Sequence, residues 1–294
     1  MAGSDLPSDP PGIQKAFALD LKKRGNEHFQ SGNFEAAEVL YRKAITFDPR
    51  NPLLYTNHAK ALLKLTRYPE AITASREALQ VMALAKDGEV VVSVAMKAHY
   101  HVAQGMRGLG EYEGAMREVQ VARGFCEKGM ETGEGDTGKS LKSILELGLR
   151  CRREGWEIRE EKRRRERRGL EGEVLGLMRR EGNEGGEKGM GGWESKIEEV
   201  ERVFRLVETQ GKEGRRREMP DWAIDGISFN VMIDPVMTKT GQSYERSSIL
   251  QHLERSNTDP LTREVLRKTD LRPNLGLRCA IEEFLEENGW AVEW

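Results

Sequence analysis

Cysteine is scarce in this chain of 294 residues, and Cys126, Cys151 and Cys279 fall into no metal-ligand spacing. Five scattered histidines add no zinc pattern, so neither a metal nor another cofactor is expected. An odd, sparse cysteine count fits a reducing compartment rather than a disulfide framework. Apolar residues are also few, at 37% of the chain with aromatics at 6%. No run of about 18 apolar residues occurs, which excludes a transmembrane helix. The opening residues MAGSDLPSDPPG have neither a basic nor an apolar segment, so they are no signal peptide, and 1–12 read as disordered. Net charge is small, with 47 basic against 49 acidic residues, and this excludes global steering toward nucleic acid or an anionic membrane. Two catalytic signatures are missing too: there is no HExxH and no GxSxG motif.

What the chain does have is charge, 33% of its residues against roughly 25% in an average protein. Its length suggests about two domains. The excess charge gathers between residues 150 and 218, in EIREEKRRRERR and RRREMP, and interspersed Glu makes this a solvated helical face rather than a nucleic-acid patch or nuclear signal. Residues 124–138 have a loop-like composition, and Leu141, Ile144, Leu145, Leu147 and Leu149 suggest a capping helix after them. Glycines between 172 and 192 interrupt the charged stretch beyond that helix, and WESKIEEVERVFRLVE suggests the second arm of a helical hairpin. Residues 126–218 are therefore assigned to a capping helix and a charged, Gly-interrupted helical linker.

Residues 13–125 are repetitive. Gly25 and Ala59 are 34 residues apart, and the pair Ala37/Ala44 recurs as Ala71/Ala78 and then as Ala115/Ala122. With Tyr41 and Pro49 in the first unit, this pattern resembles the tetratricopeptide repeat. The resemblance implies three repeats of paired antiparallel helices, stacked into an α-solenoid with a concave groove. Such grooves bind peptides.

Lys22/Asn26 and Lys97/His101 are each spaced i, i+4, so each pair shares a helix face, and Asn57 completes a set that should point into the groove. Ammonium groups and amides on a concave face form a receptor for carboxylates. LKKRGNEHF, LYTNHAKALLK and MKAHYHVAQG resemble the dicarboxylate clamp of chaperone-binding tetratricopeptide domains. The resemblance implies that Lys22, Asn26, Asn57 and Lys97 grip the acidic C-terminal tail of a heat-shock chaperone. His101 stands where many clamps carry Arg, and Asp136 stands near an Asp that some relatives use to meet the peptide backbone.

Residues 219–294 change texture again, and aromatic residues and turns return. Pro220-Asp221, Ile227-Ser228-Phe229, Asp234-Pro235-Val236, Gly241, Tyr244, Asp259-Pro260-Leu261-Thr262-Arg263, Pro273-Asn274-Leu275 and Glu287-Asn288-Gly289-Trp290 resemble the U-box. A U-box is a small α+β domain that anchors two loops without zinc, and one Cys and one His here agree. Asp225, Asp234, Ser243, Glu245, Arg246 and Arg263 are candidate anchors. Turn and cap signals predict a hairpin over 227–244, a helix over 248–255 capped by Ser247, and a last helix from Asn274. The resemblance implies that Ile227, Phe229, His252 and Pro260 bind a ubiquitin-conjugating enzyme, and that Arg263 bridges it to ubiquitin.

The whole reads as mainly α, a repeat solenoid and linker with a small U-box. It resembles chaperone-linked ubiquitin ligases, which act by positioning and form no covalent intermediate. The implied partners are chaperone tails, a ubiquitin-charged conjugating enzyme, misfolded clients and a second copy of the chain, with no nucleic acid or membrane. A cytoplasmic location is expected, with the nucleus left open. Two alternatives remain at this stage, a non-enzymatic co-chaperone adaptor and a ligase for other substrates with acidic C-termini.

Overall fold

A computed structural model of the protein describes residues 11–84, 91–132, 137–184, 187–209 and 218–293. Residues 1–10, read from sequence as part of a disordered start, lie outside these. The chain divides into two compact units, 1–155 and 156–294.

The first unit opens with three antiparallel helix pairs: α1 (Pro11–Gln30) with α2 (Phe34–Phe47), α3 (Pro52–Lys64) with α4 (Tyr68–Ala83), and α5 (Val92–Gly108) with α6 (Tyr112–Thr132). The recurring alanines explain the pairing. Ala37, Ala44, Ala71, Ala78, Ala115 and Ala122 are all at 0% exposure, where a larger side chain would push the helices apart. Gly25 serves the same end, since a Cβ there would lie 2.7 Å from the Tyr41 ring. Local signals set the helix starts. Asn33 and Asn51 accept from the amides of Ala36 and Leu53, both at 3.2 Å, and Pro52 follows at the first helical position. The turn within each pair needs one left-handed residue. Gly32 (φ 83°) and Gly110 (φ 80°) supply it in the outer repeats, and Thr66 (φ 57°) in the middle one. Behind the turn, the buried carboxylate of Glu38 accepts from His58 at 3.0 Å, with Arg42 and Arg67 beside it, tying α2 to α3.

Two expectations are corrected here. The composition from residue 124 onward suggests a loop, but α6 continues to Thr132, because Val119, Ala122 and Cys126 form a buried stripe. They pack on α7 (Thr137–Glu184), the expected capping helix, through Leu141, Ile144, Leu147 and Cys151. The glycines also fail to interrupt α7, which runs for 48 residues through Gly169, Gly172 and Gly176. Each glycine costs about 1 kcal/mol of helix propensity. Ion pairs such as Arg163–Glu160 (2.9 Å) and Lys162–Glu166 (3.8 Å) offset part of that cost. Packing against α8 (Glu187–Thr209) adds more, with Ile197, Val200 and Phe204 half-buried and Arg179 paired to Glu201 at 3.3 Å. The hairpin is antiparallel, as expected; Gly185 and Gly186 at its tip lie outside the described residues.

After the hairpin, the second unit carries a three-stranded antiparallel sheet of order β2-β1-β3. Its strands are β1 (Pro235–Met237), β2 (Ser243–Glu245) and β3 (Arg272–Pro273), with Val236 opposite both Tyr244 and Pro273. Helices α9 (Arg246–His252) and α10 (Leu275–Glu287) complete it. Val236, Tyr244, Ile249, Leu253 and Leu266 form the core, with Ile227 and Leu271 packed on its edge. The strand hairpin is shorter than expected, because residues 225–230 are taken up by a loop. Helix α9 also begins at Arg246, with Ser247 in its first turn and no side-chain cap. Asp234 fixes that start by accepting from the Arg246 amide through its carbonyl (3.1 Å) and from Arg246 Nε through its carboxylate (2.7 Å). Asn274 caps α10 as expected, accepting from the Leu277 amide at 3.1 Å.

Candidate functional site

The groove residues sit on the first helix of each pair. Lys22 and Asn26 lie one turn apart on α1, Asn57 on α3, and Lys97 and His101 one turn apart on α5, which packs directly on α3. Asn26 is oriented from behind: its Oδ1 accepts from Tyr41 Oη at 2.8 Å, which leaves the amide nitrogen as donor. Burial pushes the Tyr41 phenol up to about 12, so the hydroxyl keeps the proton this bond needs. Lys22 lines a cleft of about 790 Å³ with Lys15, Phe47, Arg50 and Leu54. Asp136 lies outside the described residues.

His101, expected to point into the groove as a clamp residue, is buried. It is 7% exposed, and its Nδ1 has no hydrogen-bond partner among the described residues. Burial, reinforced by the charges of Lys60 and Lys97, pushes its pKa down to about 3, so the ring is neutral at physiological pH. The cation comes from a residue the sequence reading passed over. Lys60 stands on α3, its Nζ 4.7 Å from the centre of the Phe29 ring on α1. Burial, then Lys64 and Lys97, draw its pKa down. Lys60 therefore couples α1, α3 and α5 within one field. Its spacing could have revealed it, since Asn57, Lys60 and Lys64 recur at i, i+3 and i+7 on one face of α3. Lys60, Lys64 and Lys97 thus share one electrostatic field, which suits a ligand with clustered carboxylates.

In the second unit, two loops repeat one design. Asp225 and Asp259 are buried at 0% and 2% exposure. The Asp225 amide donates to Asn230 O and the Asp259 amide to Glu264 O, both at 2.8 Å. The amides of Phe229 and Arg263 return to the carbonyls of Asp225 and Asp259, both at 2.9 Å. Each aspartate side chain also holds its own loop, Asp225 through the Ser228 amide and hydroxyl, Asp259 through the Leu261 and Thr262 amides. Strand β2 then grips both, as the Glu245 amide donates to Asp225 Oδ1 (3.0 Å) and Tyr244 Oη to Asp259 Oδ1 (2.8 Å). Burial opposes the Asp259 charge, but these donors outweigh it and hold the carboxyl below its ordinary range. Glu245 accepts from the Ile233 and Asp234 amides, yet burial prevails and raises its pKa. Hydrogen bonds thus do what zinc does in related loops. Of the expected anchors, Asp225, Asp234, Ser243, Glu245 and Arg246 make such bonds, with Ser243 Oγ accepting from Asn274 at 3.0 Å. Asp259 and Tyr244 are the ones sequence reasoning did not pick out as anchors.

The expected conjugating-enzyme residues sit on or beside these loops. Ile227 is half-buried against the core, whereas Phe229 is 73% exposed and Pro260 is exposed. Pro260 and Leu261 share a cleft of about 420 Å³ with Ile224 and Gly226 of the first loop, which places the two loops side by side. Phe229 (φ 58°) and Arg263 (φ 60°) are both left-handed, a strained conformation for such side chains that the aspartate bonds sustain. His252 has an internal partner. Its Nε2 lies 2.9 Å from Thr258 O and holds the second loop to α9.

Comparison with known proteins finds two families along the chain. The U-box domain family matches residues 219–290, and a TPR repeat family matches residues 25–66. The Arabidopsis thaliana E3 ubiquitin-protein ligase CHIP is 28% identical over 287 residues, spanning 96% of this chain and 98% of the relative. Ubiquitin conjugation factor E4 of Schizosaccharomyces pombe is 40% identical over 85 residues, 29% of this chain and 8% of that protein. Among solved structures, the TPR2B domain of yeast Sti1, in complex with an Hsp70 peptide, has a TM-score of 0.38 at 23% identity, covering 46% of this chain and 96% of the other. The second TPR domain of human RPAP3, solved with an HSP70 peptide, has a TM-score of 0.34 at 26% identity, covering 46% and 98%. By the order of its two modules and its similarity along nearly the whole length, the chain is a CHIP-like tetratricopeptide-repeat and U-box protein of the ubiquitin-ligase class.

Proposed function

We propose that the protein joins heat-shock chaperones to ubiquitin transfer. The groove takes the acidic C-terminal tail of a chaperone, and the U-box brings a ubiquitin-charged conjugating enzyme to the misfolded client that the chaperone carries. The carrying observation is that one chain holds both clustered lysines in its repeats, Lys60, Lys64 and Lys97, and two strained, exposed loops held by buried aspartates. No covalent intermediate forms on this chain. The chemistry belongs to the enzyme's thioester, and the contribution of this chain is proximity and orientation. Ile227, Phe229 and Pro260 supply the apolar contact, and Arg263 reaches toward ubiquitin to favour a closed, reactive thioester. The site of action is the cytoplasm. The protein acts as a homodimer through the hairpin, whose α8 exposes Val203, Leu206 and Val207 on one face.

The neutral, buried His101 supports a second reading of the groove's range. A clamp that lacks a guanidinium there selects less strictly for one chaperone tail, so other proteins with acidic C-termini become substrates.

The test is reconstituted ubiquitylation of a chaperone-bound client by wild type, Lys22→Ala and Ile227→Ala. Loss in both variants is expected, with Lys22→Ala still discharging ubiquitin to free lysine. Full client modification by Lys22→Ala would overturn the tethering role, and full activity of Ile227→Ala would overturn the U-box assignment.

A further inference from the structure

Helix α10 ends with carbonyls that have no partner within the helix. Phe284 O accepts from the Asn288 amide and side chain, at 2.9 and 3.0 Å. The next two donors come from far away in sequence. Arg159 Nη2 lies 3.4 Å from Glu286 O, and Trp156 Nε1 donates to Glu287 O at 3.1 Å. Both side chains belong to α7 and stand three residues apart, on one face. The guanidinium also meets the negative end of the α10 dipole.

The contact is closely fitted. Gly289 is buried under the Trp156 side chain, and a Cβ there would lie 2.4 Å from Trp156 Cβ and 2.5 Å from its Cγ. Neither atom is the free end of a flexible chain, so only glycine allows this approach. The corner beyond is stiff as well. Trp290 Nε1 donates to Asn288 Oδ1 at 3.2 Å, and Phe284 meets both Trp222 and Trp290 edge to face, with ring centres 6.0 and 6.3 Å apart.

The geometry points to Trp156, Arg159 and Gly289 as a lock that fixes the U-box on α7. By holding the conjugating enzyme in a set place, these positioning residues restrict which substrate lysines receive ubiquitin. They touch neither substrate nor enzyme. The second half of this inference rests on the ligase function proposed above, and the first half does not.

The test therefore has two arms, both on the full chain. In the first, spin labels on Cys279, which is exposed on α10, and on Glu173→Cys, at an exposed position of α7, report their distance distribution. Cys126 and Cys151 are buried. A narrow distribution is expected for wild type, a broad one for Trp156→Ala and for Gly289→Ala, and an intermediate width for Trp156→Phe, which keeps the ring but not the donor. Equal widths in all four would overturn the lock. In the second arm, ubiquitin discharge to free lysine should stay within about twofold of wild type in Trp156→Ala. On a groove-tethered substrate, the share of the dominant modified lysine should fall at least threefold. An unchanged lysine pattern despite a broadened distance would overturn the positioning role, as would a discharge rate that falls in step with substrate modification. Absence of all ubiquitylation by wild type would count against the ligase reading and leave the lock to the distance measurement.

Discussion

Tyr244 Oη donates a 2.8 Å hydrogen bond to Asp259 Oδ1, and through it strand β2 holds the second U-box loop. Burial and the bond to Asp259 both push the Tyr244 phenol up, so the donor keeps its proton at any physiological pH. A hydrogen bond to a charged partner contributes about 1.5–3 kcal/mol. Tyr244→Phe should therefore lower the stability of the U-box by about 2 kcal/mol. Asp259→Ala should cost clearly more, because it strands the Leu261 and Thr262 amides together with Tyr244 Oη. Urea unfolding followed by tryptophan fluorescence reads both. A Tyr244→Phe midpoint equal to wild type would show that β2 does not hold the loop.

Phe229 sets function against stability. It is 73% exposed, so it adds little to the core, yet its left-handed backbone costs roughly 1–2 kcal/mol. Phe229→Gly should raise the thermal midpoint while cutting ubiquitin discharge at least tenfold. Phe229→Ala should cut discharge similarly without raising the midpoint. Discharge by Phe229→Gly at the wild-type rate would remove Phe229 from the binding surface.

How much of this was legible beforehand depended on whether a signal was local or spatial. Alanines at fixed spacing and the Asn274 start signal are local, and they led correctly to the paired helices and to the start of α10. The U-box motifs likewise pointed to a scaffold anchored without zinc. Composition misled where long-range packing overrode it. Gly169, Gly172 and Gly176 look like breaks, yet α7 runs through them, and beyond them it packs on α8 where Gly182 meets Trp193. The candidate site was legible wherever residues shared one helix face, as Lys22 and Asn26 do. Burial was not legible, so His101 read simply as a groove residue and Lys60 went unassigned. The contact of Trp156 with Glu287 joins residues 131 apart, and no spacing rule could propose it.

Thr66 offers a gain in stability. It occupies the left-handed turn position that Gly32 and Gly110 fill in the neighbouring repeats, and it is exposed. A β-branched residue with positive φ is strained, and glycine removes that strain at the cost of a more flexible unfolded chain. Thr66→Gly should still stabilise the repeat unit by about 0.5–1 kcal/mol. Peptide binding should not change. Calorimetric unfolding checks it, and a lower midpoint would mean that Thr66 makes a contribution its φ does not reveal.

Lys60 is expected to be a working part of the groove. Its ammonium stands over Phe29 and feels the Lys97 charge. Because Lys60 is partly solvated, its removal should cost about 1 kcal/mol of binding, or roughly fivefold in affinity. Fluorescence polarisation with a labelled peptide ending in acidic residues measures this. Lys60→Ala should also flatten the salt dependence. Equal affinity and equal salt dependence would exclude Lys60 from the clamp.

His101 makes the repeat unit sensitive to acid. Its folded pKa is pushed down to about 3 by burial and by the Lys60 and Lys97 charges, against about 6.5 in the unfolded chain. Below 6.5 the unfolded chain therefore takes up a proton that the folded unit refuses, and stability falls as pH falls toward 3. Between pH 7.5 and 5.5 the loss should be on the order of 1 kcal/mol. His101→Gln keeps a polar side chain that does not titrate, so it should remove that part of the slope. Urea unfolding of wild type and variant at the two pH values measures the difference. Equal slopes in the two proteins would mean that His101 accepts a proton in the folded state, and its buried Nδ1 would then need a partner.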